Sequence, residues 1–132
     1  MTVVRQYLLF SLAVIAFALV HEGAHALSSA AFGEYGRFHL RWYGPEVEYR
    51  TPVLGREGLK WGFISGSSSA ITILCGFLLF AGRGRIAATD NRIARIGGYY
   101  ATVLFMLGDP LNLSVGPFIY GGDIAVSPSD ST

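Results

Sequence analysis

The chain has 132 residues, enough for one domain. Hydrophobic residues make up 52% and charged residues 14%, against about 25% charged in a typical soluble domain. With a mean hydropathy of +0.43, this composition points to an integral membrane protein. A net charge of +1 without a basic block argues against a nucleic-acid partner, and one cysteine, Cys75, rules out an internal disulfide.

The first apolar segment runs from about Gln6 to Phe32 and exceeds the roughly 20 residues that a bilayer-spanning helix needs. Inside it lies His21-Glu22-Gly23-Ala24-His25. Residues four apart share a helix face, so His21 and His25 project together. Two imidazoles one turn apart can grip a tetrahedral zinc ion at roughly 2.0–2.1 Å per bond. Glu22 follows the first histidine, where its carboxylate can reach a water at the metal without ligating it. This is the pattern H-E-x-x-H, with two ligands and a general base. A chance match competes with that reading, but ionisable side chains at membrane depth carry a desolvation cost that packing does not repay. Ala24-His25-Ala26 also resembles a signal-peptidase site. The polar His-Glu pair before it, and two further apolar segments after it, argue for a retained helix.

A polar stretch, Gly33 to Trp61, follows. Phe38, Leu40 and Trp42 alternate with Arg37, His39 and Arg41. After Tyr43-Gly44-Pro45, Val47, Tyr49 and Thr51 alternate with Glu46, Glu48 and Arg50. Period-two patterning around a turn signal predicts a β-hairpin, with arginines facing glutamates across it. It reads as an amphipathic loop on the headgroups or as a sheet edge that pairs with an extended peptide. His39 is expected to be an exposed strand residue.

The second segment, about Gly62 to Ala81, begins with Gly62 and Gly66 in a G-x-x-x-G and continues through Ser67, Ser68, Ser69 and Ala70. Small residues predict a close-packed wall beside the metal site, with Cys75 a small buried residue. Gly82 to Arg95 reads as a short basic loop. Lysine and arginine counts on the two sides of the membrane are equal, so they do not fix orientation. The third segment, about Ile96 to Tyr120, is interrupted at Gly108-Asp109-Pro110 and again at Gly116-Pro117, before Gly121-Gly122-Asp123. Proline disfavours helix at the residue before it, so a break is expected at Asp109. Broken backbone at membrane depth lines cavities, which makes Asp109 and Asp123 candidates for the third ligand. The tail at 127–132 is polar and expected to be disordered, leaving 1–126 as one membrane-embedded domain.

The chain resembles the site-2 protease family of intramembrane zinc metalloproteases. The resemblance rests on His21-Glu22-Gly23-Ala24-His25, on Gly66-Ser67-Ser68-Ser69-Ala70, and more loosely on Asn112 to Pro117 and Gly121-Gly122-Asp123. It covers nearly the whole chain as a minimal core. It implies a mainly α membrane protein with three transmembrane segments and a β-hairpin between the first and second. It implies Asp123 as the third zinc ligand, with Asp109 as runner-up, and Asn112 as a contact to the substrate backbone. The third segment departs from the family's usual order, in which Asn-x-x-Pro precedes an Asp-Gly pair.

The function expected from these readings is hydrolysis of peptide bonds in membrane-spanning protein substrates. Zn²⁺ would be held by His21, His25 and an aspartate, with Glu22 taking the proton from zinc-activated water. The protein is expected to be multi-pass, with the lipid bilayer as its surroundings. The alternatives are a non-catalytic scaffold of the same fold and a small ion-pathway subunit. Glu22 discriminates, because neither alternative needs a general base there.

Overall fold

The structure is a computed structural model that describes residues 2–120, with side chains described through residue 115. Asp123 and the polar tail lie outside the described residues. The elements in order are α1 (Val3–Ala31), β1 (Tyr35–Arg41), β2 (Gly44–Tyr49), a 3₁₀ turn (Val53–Gly55), α2 (Leu59–Ala81), α3 (Arg83–Ala87) and α4 (Arg92–Tyr120). The chain is mainly helical, with a small antiparallel hairpin after the first helix. α1 and α2 are long and apolar enough to cross a membrane. α4 matches α1 in length but is not among the helices apolar enough for that, so the expected three spans reduce to two on composition. Its arginines, glycines and Asp109 lower its hydropathy.

α1 stops at a Schellman arrangement. Gly33 takes a positive φ of 72°, its N–H donates to Ala30 O at 3.0 Å, and the Glu34 N–H donates to Ser29 O at 2.7 Å. The hairpin leaves directly from this cap. Its closing pair is Arg41 and Gly44, so the two-residue loop is Trp42-Tyr43 and Pro45 lies within β2, opposite Leu40. The expected turn at Tyr43-Gly44-Pro45 is thus shifted by one residue. The expected charge pairing is present, with Arg41 Nε 2.6 Å from Glu46 Oε2 and His39 Nε2 2.6 Å from Glu48 Oε2. α4 starts earlier than Ile96, because Asn91 caps it by accepting from the N–H groups of Ile93 and Ala94. With α3, this replaces most of the expected basic loop by helix.

α4 is unbroken through Gly108-Asp109-Pro110, contrary to the break expected there. Proline costs the helix one donor, but packing on both sides holds the backbone. Phe105 is buried beneath α2, and Asp109 is buried one turn later. Gly108 makes room for the Phe17 ring of α1, which lies where a Cβ would stand. Three-helix packing therefore overrides the local preference.

The burial pattern inverts that of a water-soluble domain. Ala13, Ala24, Ser29, Ser68, Thr72 and Asp109 face inward, while Leu8, Leu12, Ile15, Leu74, Phe77 and Leu78 are exposed. On α2 the inward stripe is Ile64, Ser68, Thr72 and Gly76, spaced by four. Gly62 and Gly66 lie on the opposite, open face, so the expected close-packed wall exists but the G-x-x-x-G does not build it. Gly76 does: a Cβ there would stand 2.7 Å from the backbone of Phe105 and Met106. Because backbone cannot yield as a flexible side chain can, Gly76→Ala should destabilise the chain by about 1–3 kcal/mol in detergent thermal melts. Gly66→Ala, facing open space, should change stability by less than about 0.5 kcal/mol.

Candidate metal centre

His21, Glu22 and His25 come together on the inner side of α1, with one ligand atom from each within 4.8 Å of the others. The imidazole rings lie edge to face, with centroids 5.0 Å apart. Each residue is half-buried. The four-residue spacing produces this placement directly.

The surrounding elements fix each side chain. His25 Nδ1 lies 3.1 Å from Ile64 O on α2. A carbonyl only accepts, so Nδ1 carries the proton and Nε2 keeps its lone pair for a metal. The Glu22 carboxylate accepts from the Val47 N–H of β2 at 3.2 Å through Oε2. The hairpin therefore reaches back over the helix and holds the carboxylate by one oxygen. Val47 itself is buried.

His21 faces α4. Its Nδ1 is buried without a hydrogen-bond partner, yet lies 3.1 Å from Asp109 Oδ1. An unprotonated ring nitrogen and a carboxylate oxygen at that distance repel unless a proton or cation lies between them. The other carboxylate oxygen, Oδ2, accepts from the Thr72 hydroxyl of α2. Asp109 thus meets the cluster through His21, and one contact chain links α1, α4 and α2. The buried, unpartnered nitrogen and the nitrogen and oxygen donors of His21, Glu22 and His25 could hold a metal ion, while Asp109 touches that group only through His21.

Of the other expected site residues, Asn112 is exposed on α4 one turn past Asp109 and makes no side-chain hydrogen bond among the described residues. Cys75 is a half-buried free thiol outside the cluster. His39 is on the hairpin and pairs with Glu48, apart from the cluster, as expected.

Sequence patterning missed four positions. Val47 contributes only its backbone, which no side-chain pattern announces. Thr72 looks like an ordinary small residue until α4 is placed beside it. Tyr49 lies edge-on to His25, with centroids 6.4 Å apart, and also against Trp61, while the Arg56 guanidinium stacks 4.7 Å from its ring. Burial, and then the charge of Glu22, raises the Tyr49 phenol above its usual pKa. Glu34 anchors the hairpin: Lys60 Nζ donates to Oε1 at 2.6 Å, Thr51 Oγ1 donates to Oε2 at 2.7 Å, and the Arg50 N–H donates to its carbonyl at 2.8 Å.

No protein-family model matches this chain, and no curated protein or solved structure is similar to it.

Two tests of this framework follow from its hydrogen bonds. Thr72→Val keeps the shape but removes the donor to a buried carboxylate, and should cost about 1–3 kcal/mol in thermal unfolding. The second concerns pH. The Lys60 hydrogen bond, followed by that of Thr51, holds the Glu34 carboxyl below its usual pKa. Its contribution is therefore complete above the ordinary glutamate value of about 4.3 and is lost as pH falls through the lowered folded value. The melting-temperature advantage of the unmodified chain over Glu34→Gln should be full at neutral pH and shrink on acidification below that range.

Proposed function

We propose that this chain is an intramembrane zinc metalloendopeptidase similar to the site-2 proteases, acting on membrane-spanning protein substrates. The observation that carries the reading is Glu22, with one carboxylate oxygen tethered by Val47 and a ligand-capable atom within 4.8 Å of those of His21 and His25. A carboxylate beside two histidines and tethered through one oxygen is placed to act as a general base. In this reading, His21, His25 and Asp109 hold the ion. Asp109 is preferred to Asp123 because its carboxylate already lies against the unpartnered nitrogen of His21.

Three features support membrane embedding, with α4 as the third span. Large apolar side chains cover the outer faces of α1, α2 and α4. Small and polar residues form the helix interfaces, as expected where lipid removes any hydrophobic drive between helices. Trp42 and Tyr43 at the hairpin tip are exposed, as interfacial aromatics are.

Held by His21, His25 and Asp109, a zinc ion would supply Lewis acidity and favour ionisation of water near neutral pH. Glu22 takes a proton from the attacking water as its oxygen bonds to the scissile carbonyl carbon. Glu22 then returns that proton to the leaving nitrogen as the C–N bond breaks. The Val47 N–H keeps the carboxylate aimed while its other oxygen does this work. β2 lies beside the centre, so an unwound stretch of substrate can be held extended along the hairpin. Asn112 is assigned a substrate-backbone contact by resemblance alone.

The test combines metal content with cleavage of a single-span reporter polypeptide in detergent. The unmodified chain should hold about one zinc ion. Glu22→Gln should keep the metal and lower cleavage by about 10²–10⁴-fold. Asp109→Asn should lose the metal while retaining its helical circular dichroism, and Asp123→Ala should keep it. Cleavage by Glu22→Gln at the unmodified rate would remove the proposed mechanism. Metal lost with Asp123→Ala and kept with Asp109→Asn would move the third ligand to Asp123.

A further inference from the structure

The end of the helical bundle away from the hairpin carries a second feature. A cavity of about 610 Å³ opens between the C-terminal turn of α2, α3 and the first half of α4. Phe80, Tyr99, Val103 and Leu107 form apolar walls, while Arg83 and Arg95 stand at one end. All six side chains are exposed. The groove runs along α4 from Arg95 to Leu107, twelve residues or about 18 Å at 1.5 Å per residue. A bilayer's hydrocarbon core is about 30 Å thick, so the groove spans about one leaflet.

The charge pattern says which leaflet component fits. Arg5, Arg83, Arg85, Arg92 and Arg95 sit at this end, with Asp90 the one acidic residue near them. Among the described residues none of these arginines forms an ion pair. At the hairpin end, by contrast, Arg41 is paired with Glu46 and Lys60 with Glu34. Arg83 uses one N–H on Phe80 O at 3.1 Å, and Arg95 uses one on Thr89 O at 3.4 Å. Each guanidinium has five N–H donors and so keeps several to offer. Planar, weakly hydrated guanidinium groups suit phosphate oxygens. A second copy of this chain would bring the same unpaired positive charges against each other.

We propose that this groove binds an anionic glycerophospholipid, with its phosphate on Arg83 and Arg95 and an acyl chain along Phe80, Val103 and Leu107. The bound lipid would place the arginine-rich end in an anionic leaflet, fixing an orientation that the equal counts of basic residues leave open. This inference rests on the membrane placement, independently of the peptidase reading.

The test is native mass spectrometry of the full chain in detergent, with phosphatidylglycerol or phosphatidylcholine of identical acyl chains added. Phosphatidylglycerol should be retained in preference by about tenfold or more. Arg83→Gln/Arg95→Gln should abolish the preference, and Arg37→Gln/Arg50→Gln, with the same charge change at the hairpin end, should keep it. Val103→Trp, which fills the groove and leaves the arginines, should lower retention of phosphatidylglycerol. Excess inorganic phosphate should not displace the lipid. Equal retention of the two lipids, equal loss in the hairpin double variant, or displacement by inorganic phosphate would each overturn the proposal. A chain that is monodisperse without detergent would overturn the membrane placement itself, whatever its catalytic activity.

Discussion

The contact chain from His21 through Asp109 to Thr72 is the constraint on which the rest of the structure depends. It crosses all three long helices at their common interior. A carboxylate buried there is costly unless it is paired or hydrogen-bonded. The small residues around it follow from that need. Gly76 allows α2 and α4 to approach until their backbones touch, and Gly108 leaves space for Phe17 next to Asp109. The same need is consistent with α4 continuing through Pro110, since a break there would pull Asp109 from its partners.

The hairpin acts as the second constraint. It is tied down at its base by Glu34, which connects the end of α1 to Thr51 and Lys60, and along β2 by the Val47 N–H on Glu22. A carboxylate held through one oxygen, beside a histidine, His25, whose Nδ1 is set by the Ile64 carbonyl, is a preorganised arrangement. Such preorganisation is what the proposed peptidase reading would use.

The outer surface follows a different logic from the interior. Its large apolar side chains would be a liability in water, but they match a bilayer, and the two ends of the bundle are unlike one another. The hairpin end has five basic residues, of which Arg41 and Lys60 are ion-paired, among four glutamates, and carries exposed aromatics at its tip. The far end carries unpaired arginines beside an apolar groove. An anionic leaflet would distinguish the two ends by net field, a property that counts of basic residues alone do not capture.

Helical periodicity determined by itself that His21 and His25 would share one helix face, because a four-residue offset leaves no other outcome. Period-two patterning likewise determined the hairpin and its cross-strand charge pairs, since neighbouring strands must set those side chains opposite one another. Composition determined that α1 and α2 would be long apolar helices. Only the tertiary structure decided the rest. Which glycine packs on α2 depends on where α4 lies, so Gly76 replaced Gly62 and Gly66. The continuity of α4 through Pro110 depends on contacts from residues more than thirty positions away, which outweigh a local backbone preference. The Val47 tether on Glu22 uses a backbone group that every residue but proline has. Its significance comes solely from where the hairpin folds back over α1.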